Sequence, residues 1–410
     1  MLKPKQQGPN FVRMNEQMIY LDNNATTPVD PRVVDQMLPY FYEQPGNAAS
    51  RTHAFGWQAE EAVKKARQQL ASLLDVGYKE VVFTSGATEA INLALKGFFE
   101  TYQTRGQHII TLQTEHKAVL DCCKRLEGKG AEVTYLPVQE DGLVDLQMLK
   151  DSIKADTILV AVMWANNETG TIQQMAEIGA ICDEAGVFLF SDATQAVGKI
   201  PTHPREVGVH MLACSAHKLY GPKGVGALYV SQKNPIVKLT AQQDGGGHER
   251  GRRSGTLNVP GIVGLGAAAA IAGEEQAQEA VQLGAWRDQI EQKLLQEIPQ
   301  TAVNGSTAYR LPQVSNLRFA GIDTEQLLMM LSQQVALSSG SACTSASMDP
   351  SHVLKALGLT DAEAQSSMRI SLGRFTKEEE VARAADLIIK AVAEARAMSP
   401  AWAAMSGGGE

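Results

Sequence analysis

A chain of 410 residues, 44% of them hydrophobic, exceeds the usual size of one core and points to two or three lobes with ample burial. Its 37 basic and 45 acidic side chains leave a formal charge of -8, which argues against nucleic acid or a membrane surface as the main partner. The five cysteines (Cys122, Cys123, Cys182, Cys214, Cys343) are odd in number and form no Cys-x-x-Cys pair, so a reducing, cytoplasmic setting is expected. No histidine spacing suggests a metal site.

Residues 1–18 lack an apolar stretch long enough for a secretory signal, and one arginine beside Glu16 does not suit a transit peptide. They read as a disordered extension, with Met14 or Met18 as an alternative start. Asp30-Pro31 has the form of a helix N-cap followed by proline at the first helical position, and Trp57 to Leu74 carries helical spacing. Strand-like runs then follow at Glu80–Ser85, Gln107–Gln113, Ala131–Leu136, Thr157–Trp164, Val187–Ser191, Val209–Ala213 and Val225–Val230, alternating with helix-like ones. Such alternation predicts an α/β fold with a mainly parallel sheet covered by helices.

From Thr256 to Ile298 an Ala-rich and then Gln/Glu-rich stretch reads as one long helix, or two broken near Gly284. Its apolar run from Gly261 to Gly273 is too short to span a bilayer. Short strands at Val314–Phe319, Val335–Ser339 and Met368–Leu372 then interleave with helices at Thr324–Ser332, Asp349–Leu357 and Thr376–Arg396. The expected organisation is therefore an extension at 1–18, a large domain at 19–275 whose N-terminal arm packs with the small domain, a smaller α+β domain at 276–398, and a flexible Gly-rich tail at 399–410.

Lys218, in His217-Lys218-Leu219-Tyr220-Gly221-Pro222-Lys223-Gly224, lies 26 positions after Asp192, and each follows an apolar strand. A lysine amine can hold an aldehyde cofactor as a Schiff base while a carboxylate keeps a pyridine nitrogen protonated, so the pair points to pyridoxal phosphate chemistry. Alone, either residue reads as a loop charge or a turn. Ser85-Gly86-Ala87-Thr88-Glu89 stands between a strand and a helix, where backbone N–H groups and the helix dipole favour a phosphate; ordinary capping is the competing explanation. Ser215, His217 and Thr256 offer further donors.

His116 follows a strand at the carboxyl edge, where open α/β sheets bind ligands, and can stack on a flat ring and move protons. Asn167 can aim its amide at a ring oxygen or a carboxylate, although Asn166-Asn167 also suits a plain turn. Arg374, after the last strand of the small lobe, suits a two-pronged grip on a carboxylate. Cys343 sits among small residues in Ser339-Gly340-Ser341-Ala342-Cys343-Thr344-Ser345, a setting that cannot anchor a core and would let a thiol swing into a cleft. The other four cysteines fall in helix-like or strand-like runs and read as structural.

Taken together, these segments resemble the group I cysteine desulfurases, class V aminotransferase-like enzymes of the housekeeping iron-sulfur cluster and nitrogen-fixation types. The likeness runs from Tyr20 to about Trp402. It rests on Leu21-Asp22-Asn23-Asn24-Ala25-Thr26-Thr27-Pro28, Thr114-Glu115-His116-Lys117, Asp192-Ala193-Thr194-Gln195, Gly245-Gly246-Gly247-His248-Glu249-Arg250, Arg253-Ser254-Gly255-Thr256 and the segments already quoted. The resemblance implies a type I fold, a homodimer, pyridoxal 5'-phosphate, and release of sulfur from L-cysteine as L-alanine plus an enzyme persulfide, which is passed to an iron-sulfur scaffold or another acceptor.

By the same likeness Lys218 would hold the cofactor and shuttle protons, Asp192 would pair with the ring nitrogen and Gln195 with the ring hydroxyl. His116 would stack on the ring; Ala87, Thr88, Ser215 and His217 would cradle the phosphate, with Thr256 reaching in from the neighbouring subunit. Asn47, Asn167 and Arg374 would hold the substrate carboxylate, and Cys343 would attack the sulfur. Gly46-Asn47-Ala48 lacks the proline that many relatives place after the asparagine. The alternatives are another class V enzyme, such as a selenocysteine lyase or aminotransferase, and a non-catalytic scaffold with the same fold; retention of full turnover without Cys343 would favour the first.

Overall fold

The computed structural model describes residues 18–233, 235–339 and 349–406. Its strands are β1 (Ile19–Tyr20), β2 (Val81–Thr84), β3 (His108–Leu112), β4 (Glu132–Leu136), β5 (Thr157–Ala161), β6 (Phe188–Asp192), β7 (Met211–Ser215), β8 (Gly226–Val230), β9 (Thr301–Val303), β10 (Val314–Phe319), β11 (Val335–Ala336) and β12 (Ser367–Ser371). Seven of them form one sheet in the order β2-β8-β7-β6-β5-β3-β4. All neighbours from β7 to β4 are parallel; only β8 runs against the rest, antiparallel to both β7 and β2. Since β2 opposes β8 and β8 opposes β7, β2 points the same way as β7. The carboxyl ends of β2, β3, β5, β6 and β7 therefore meet at one edge.

Strand side chains alternate between faces, and here both faces are covered. Val81, Phe83, Ile110 and Leu112 enter one core, whereas Val82 and Ile109 enter a second core on the opposite face. This is why the strands read as continuous apolar runs. The helix Ala54–Leu73 lies against the long helix Val259–Glu297, and Gly266 permits the close approach: a Cβ there would fall 2.4 Å from the Ala66 backbone.

That long helix is continuous for 39 residues and passes through Gly284 without a break. Its first half, from Val259 to Ala272, contributes to a core of the large sheet, and its second half contributes Leu283, Ile290 and Leu294 to a third core. The third core includes Leu317, Met368 and Ile370 from the three-stranded antiparallel sheet β12-β10-β9. The boundary expected at 275/276 thus falls inside a helix that both lobes share.

The N-terminal arm belongs to the small lobe before it reaches the large one. β1 pairs in parallel with β11, Leu21 N–H donates to Ala336 at 3.0 Å, and Ser371 N–H donates to the Leu21 carbonyl at 2.8 Å. The tail expectation needs correction over Pro400–Ser406, which is helical. Ser399 Oγ accepts from Trp402 N–H at 3.2 Å, and the indole ring lies 3.8 Å from the Arg396 guanidinium carbon, so this turn has both a cap and a packing partner. No helix of the described residues is long and apolar enough to cross a membrane.

Candidate active site

The shared carboxyl edge opens into a cavity of about 650 Å³. Topology alone explains its first group of residues. β2 leads through Ser85-Gly86 into the helix Ala87–Tyr102, placing Ala87 and Thr88 on the wall, while β6 ends on Asp192 and β7 ends on Ser215. His217 and Lys218 follow in a single 3-10 turn, and His116, Asn167 and Gln195 complete the set that the cavity brings together.

Lys218 is held from the arm. Its Nζ donates to the backbone carbonyls of Asn24 and of Ala25, the latter at 2.6 Å, and Gln195 Nε2 donates to the same Asn24 carbonyl at 3.0 Å. Two residues on, Tyr220 sits at φ 64, a left-handed conformation that a bulky residue adopts only when its surroundings impose it. Here Tyr220 N–H donates to Thr27 Oγ1 at 2.9 Å, its carbonyl accepts from Asp30 N–H at 2.9 Å, and its hydroxyl accepts from Arg374 N–H at 2.7 Å. Those three bonds fix the turn that carries the lysine.

Asp192 Oδ1 accepts from Thr194 N–H at 3.0 Å. His116 begins the helix Lys117–Glu127 as its cap, with Nδ1 accepting from Ala118 N–H at 3.1 Å. That bond occupies the Nδ1 lone pair, so the neutral ring carries its proton on Nε2. His217 Nδ1 lies 3.1 Å from Thr26 Oγ1, and burial, with Lys218 and Lys223 nearby, pulls its pKa down to about 4. The ring is therefore neutral at pH 7. Behind the wall, burial pushes the Glu115 carboxyl well above the usual range; its Oε1 accepts from Met163 N–H at 2.6 Å.

Three sequence candidates lie elsewhere. Arg374 does not line the cavity: its guanidinium packs 4.3 Å from the Tyr220 ring centre, pairs with Asp30 at 2.8 Å and bonds Glu279. The joint between arm, long helix and small sheet consumes it. Asn47 is exposed in a turn, with Oδ1 accepting from Ala49 N–H at 2.9 Å, and Thr256 is also exposed; neither lines this chain's own cavity. Cys343 lies outside the described residues.

The cavity instead receives Arg369, from the middle of β12. Its Nη1 donates to the Asn167 carbonyl at 2.8 Å and its Nη2 pairs with Asp22 at 2.9 Å. A signal for it existed. Met368, Ile370 and Leu372 face the third core, so Arg369 between them must point the other way. Asn24, Glu168 and His352 also line the cavity; Asn24 stands in a quoted motif, whereas Glu168 and His352 carry no signal of their own in the sequence.

A family model described as aminotransferase class-V matches residues 19–384. The chain belongs to the class-V aminotransferase family. It is 54% identical over 384 residues to a cysteine desulfurase IscS of Anaeromyxobacter dehalogenans, which covers 94% of this chain and 95% of that protein. A cysteine desulfurase IscS of Neisseria meningitidis is 53% identical over 94% of each chain. Among solved structures, a NifS-like protein superposes with a TM-score of 0.85 at 38% identity, covering 92% of this chain and all of the other. A structure described as SspA in complex with cysteine has a TM-score of 0.76 at 35% identity, over 88% of this chain and 100% of that one.

The chain thus has the type I fold of the pyridoxal phosphate-dependent cysteine desulfurases. Its residues suit that cofactor. The 16-residue helix Ala87–Tyr102 begins at a glycine with no side chain to cap its first N–H groups, leaving them for a phosphate. Glu89, which would repel one, is instead paired with Arg253 at 2.6 Å. A lysine amine and a carboxylate share the same cavity, and Thr194 Oγ1 on its wall is buried without a partner.

Proposed function

We propose that this chain is a cysteine desulfurase that takes the sulfur of L-cysteine, leaves L-alanine, and holds the sulfur as a persulfide on Cys343. The observation that carries the reading is the meeting of Lys218, Asp192 and Arg369 in one cavity. When bound, pyridoxal phosphate supplies an electron sink for the carbon bearing the substrate's amino group. Asp192 would hold a proton on the ring nitrogen, the helix at Ala87, with Thr88, Ser215 and His217, would cradle the phosphate, and Gln195 would bond the ring hydroxyl. His116 would stack on the ring.

The substrate carboxylate goes to Arg369 rather than to Arg374, with the amide of Asn167 beside it; a guanidinium fixed at both Nη atoms loses little freedom on binding. Lys218 Nζ would take the Cα proton and return it. Cys343 as a thiolate would form the S–S bond while the Cβ–S bond breaks, its electron pair staying with carbon. Asn47 and Thr256, exposed here, suit a homodimer in which each subunit's loops reach the other's cavity. An iron-sulfur scaffold as one sulfur acceptor and a cytoplasmic setting are the expectations of the family resemblance, and five cysteines with no Cys-x-x-Cys pair suit a reducing compartment.

Incubation with L-cysteine and a thiol reductant, measuring alanine and sulfide together, tests the reaction. Lys218→Ala should lose both products by at least a thousandfold, about the scale of losing a covalent catalytic group. Cys343→Ser should bind cofactor yet release no sulfide; release equal to the parent's would overturn the role given to Cys343.

A further inference from the structure

We propose that His352 recognises the sulfhydryl of the amino-acid substrate, its Nδ1 accepting the S–H in a hydrogen bond. The inference rests on the reading above that Arg369 holds the substrate carboxylate.

His352 lines the cavity with Arg369, Asn167 and His116. Its backbone is fixed from two sides. Ser351 caps the helix His352–Ala356, accepting from Leu354 N–H at 3.2 Å, and the same hydroxyl donates to Glu168 Oε2 at 2.5 Å. The ring is fixed by Nε2, which lies 3.0 Å from the Glu115 backbone carbonyl. A carbonyl oxygen can only accept, so Nε2 must carry the hydrogen and the neutral imidazole keeps its lone pair at Nδ1.

His116 is held in the opposite sense, its Nδ1 accepting from Ala118 N–H and its proton on Nε2. The cavity therefore holds one imidazole fixed as a donor and one fixed as an acceptor. Glu168, His352, Arg369 and His116 all line this one cavity, and the Glu168 carboxyl feels each of the other three. A substrate whose carboxylate lies on Arg369 brings its side chain into that neighbourhood. A thiol, ordinarily protonated at pH 7 with a pKa near about 8.5, is a weak donor that gains from a nitrogen acceptor. L-Alanine, identical but for sulfur, has nothing to offer His352. No bond is made or broken in this step: the proton stays on sulfur.

The test uses holoenzyme carrying Cys343→Ser, so that L-cysteine binds without turnover, and calorimetric titration with L-cysteine and L-alanine. His352→Phe keeps a flat ring in the same space but has no ring nitrogen, so it removes the acceptor; the bond to Glu115 goes with it, and the L-alanine titration measures that loss. It should weaken L-cysteine about tenfold while L-alanine changes by less than about twofold. Equal weakening of both amino acids, or of neither, overturns the proposal. Arg369→Gln serves as the reference: it should weaken both equally, and if it leaves both unchanged the carboxylate assignment fails independently of His352. In the parent protein, nitrogen-15 NMR of the histidines, with His352 assigned by its loss in the phenylalanine variant, should show Nδ1 unprotonated; a proton found there would end the idea without any binding measurement.

Discussion

The two sheets supply the cavity by different routes. The large sheet delivers Asp192, Ser215 and, through short loops, Thr88 and His116 from strand ends, because parallel strands whose faces are both buried have only their carboxyl edge left for chemistry. The small sheet delivers Arg369 from the middle of β12, through the face that does not meet the third core. Five residues later, Arg374 follows the strand end and is used for cohesion. Position at a strand end marks function where both faces are closed; where one face is open, alternation marks it instead.

The sharpest way to break this comparison is to exchange the fates of the two arginines. Arg374→Gln leaves Glu279, its side chain 15% exposed, without its cation and takes from buried Asp30 one of two guanidinium partners, the other being Arg32. Leaving a buried charge uncompensated costs up to about 3–5 kcal/mol, and with Arg32 still on Asp30 the loss falls mainly on Glu279, so the denaturant midpoint should fall clearly while the KM for L-cysteine of the folded fraction stays within about threefold. A large KM change at unaltered stability would place Arg374 at the substrate after all.

Arg369→Gln also breaks a buried pair, with Asp22, and so lowers the denaturant midpoint too, but unlike Arg374→Gln it should act on the KM of the folded fraction. Charge-assisted bonds to a carboxylate are worth about 1.5–3 kcal/mol each, which predicts a KM raised roughly 100-fold. Lysine at 369 keeps the charge but cannot reach Asp22 and the Asn167 carbonyl together, so it should recover only part of the loss. Full recovery by lysine would mean that charge alone matters and that the fixed fork does not.

Most of the edge-borne site was legible in the chain because each residue stands just after an apolar run, and the runs themselves mapped onto β2 to β8. Arg374 draws the carboxylate role in the sequence because a strand-end arginine looks available, whereas its acidic partners Asp30 and Glu279 lie 344 and 95 positions away and only the fold brings them together. The alternation around Arg369 was local and readable. Gly284 suggested a break that burial on both sides overrides, since one glycine costs a helix only about 1 kcal/mol. The helix Pro400–Ser406 was hidden by the Gly-rich residues that follow it, although Ser399 and Trp402 already supplied its cap and its anchor.

The smallest effect concerns the edge itself. His217 is held neutral by burial and by Lys218 and Lys223, with its pKa lowered to about 4 against the ordinary 6.5. The unfolded chain then binds a proton that the folded one refuses throughout the window between those values. Its contribution is therefore fully present above about pH 6.5 and is lost as pH falls towards 4. His217→Gln cannot titrate, so its denaturant midpoint should fall less than the parent's between pH 7 and pH 5, the difference between the two proteins cancelling the other histidines. An identical fall in both would show that the ring is not kept neutral, and that the edge tolerates a second positive charge beside Lys218 where the geometry, with Thr26 the one side chain bonded to that imidazole among the described residues, assigns it none.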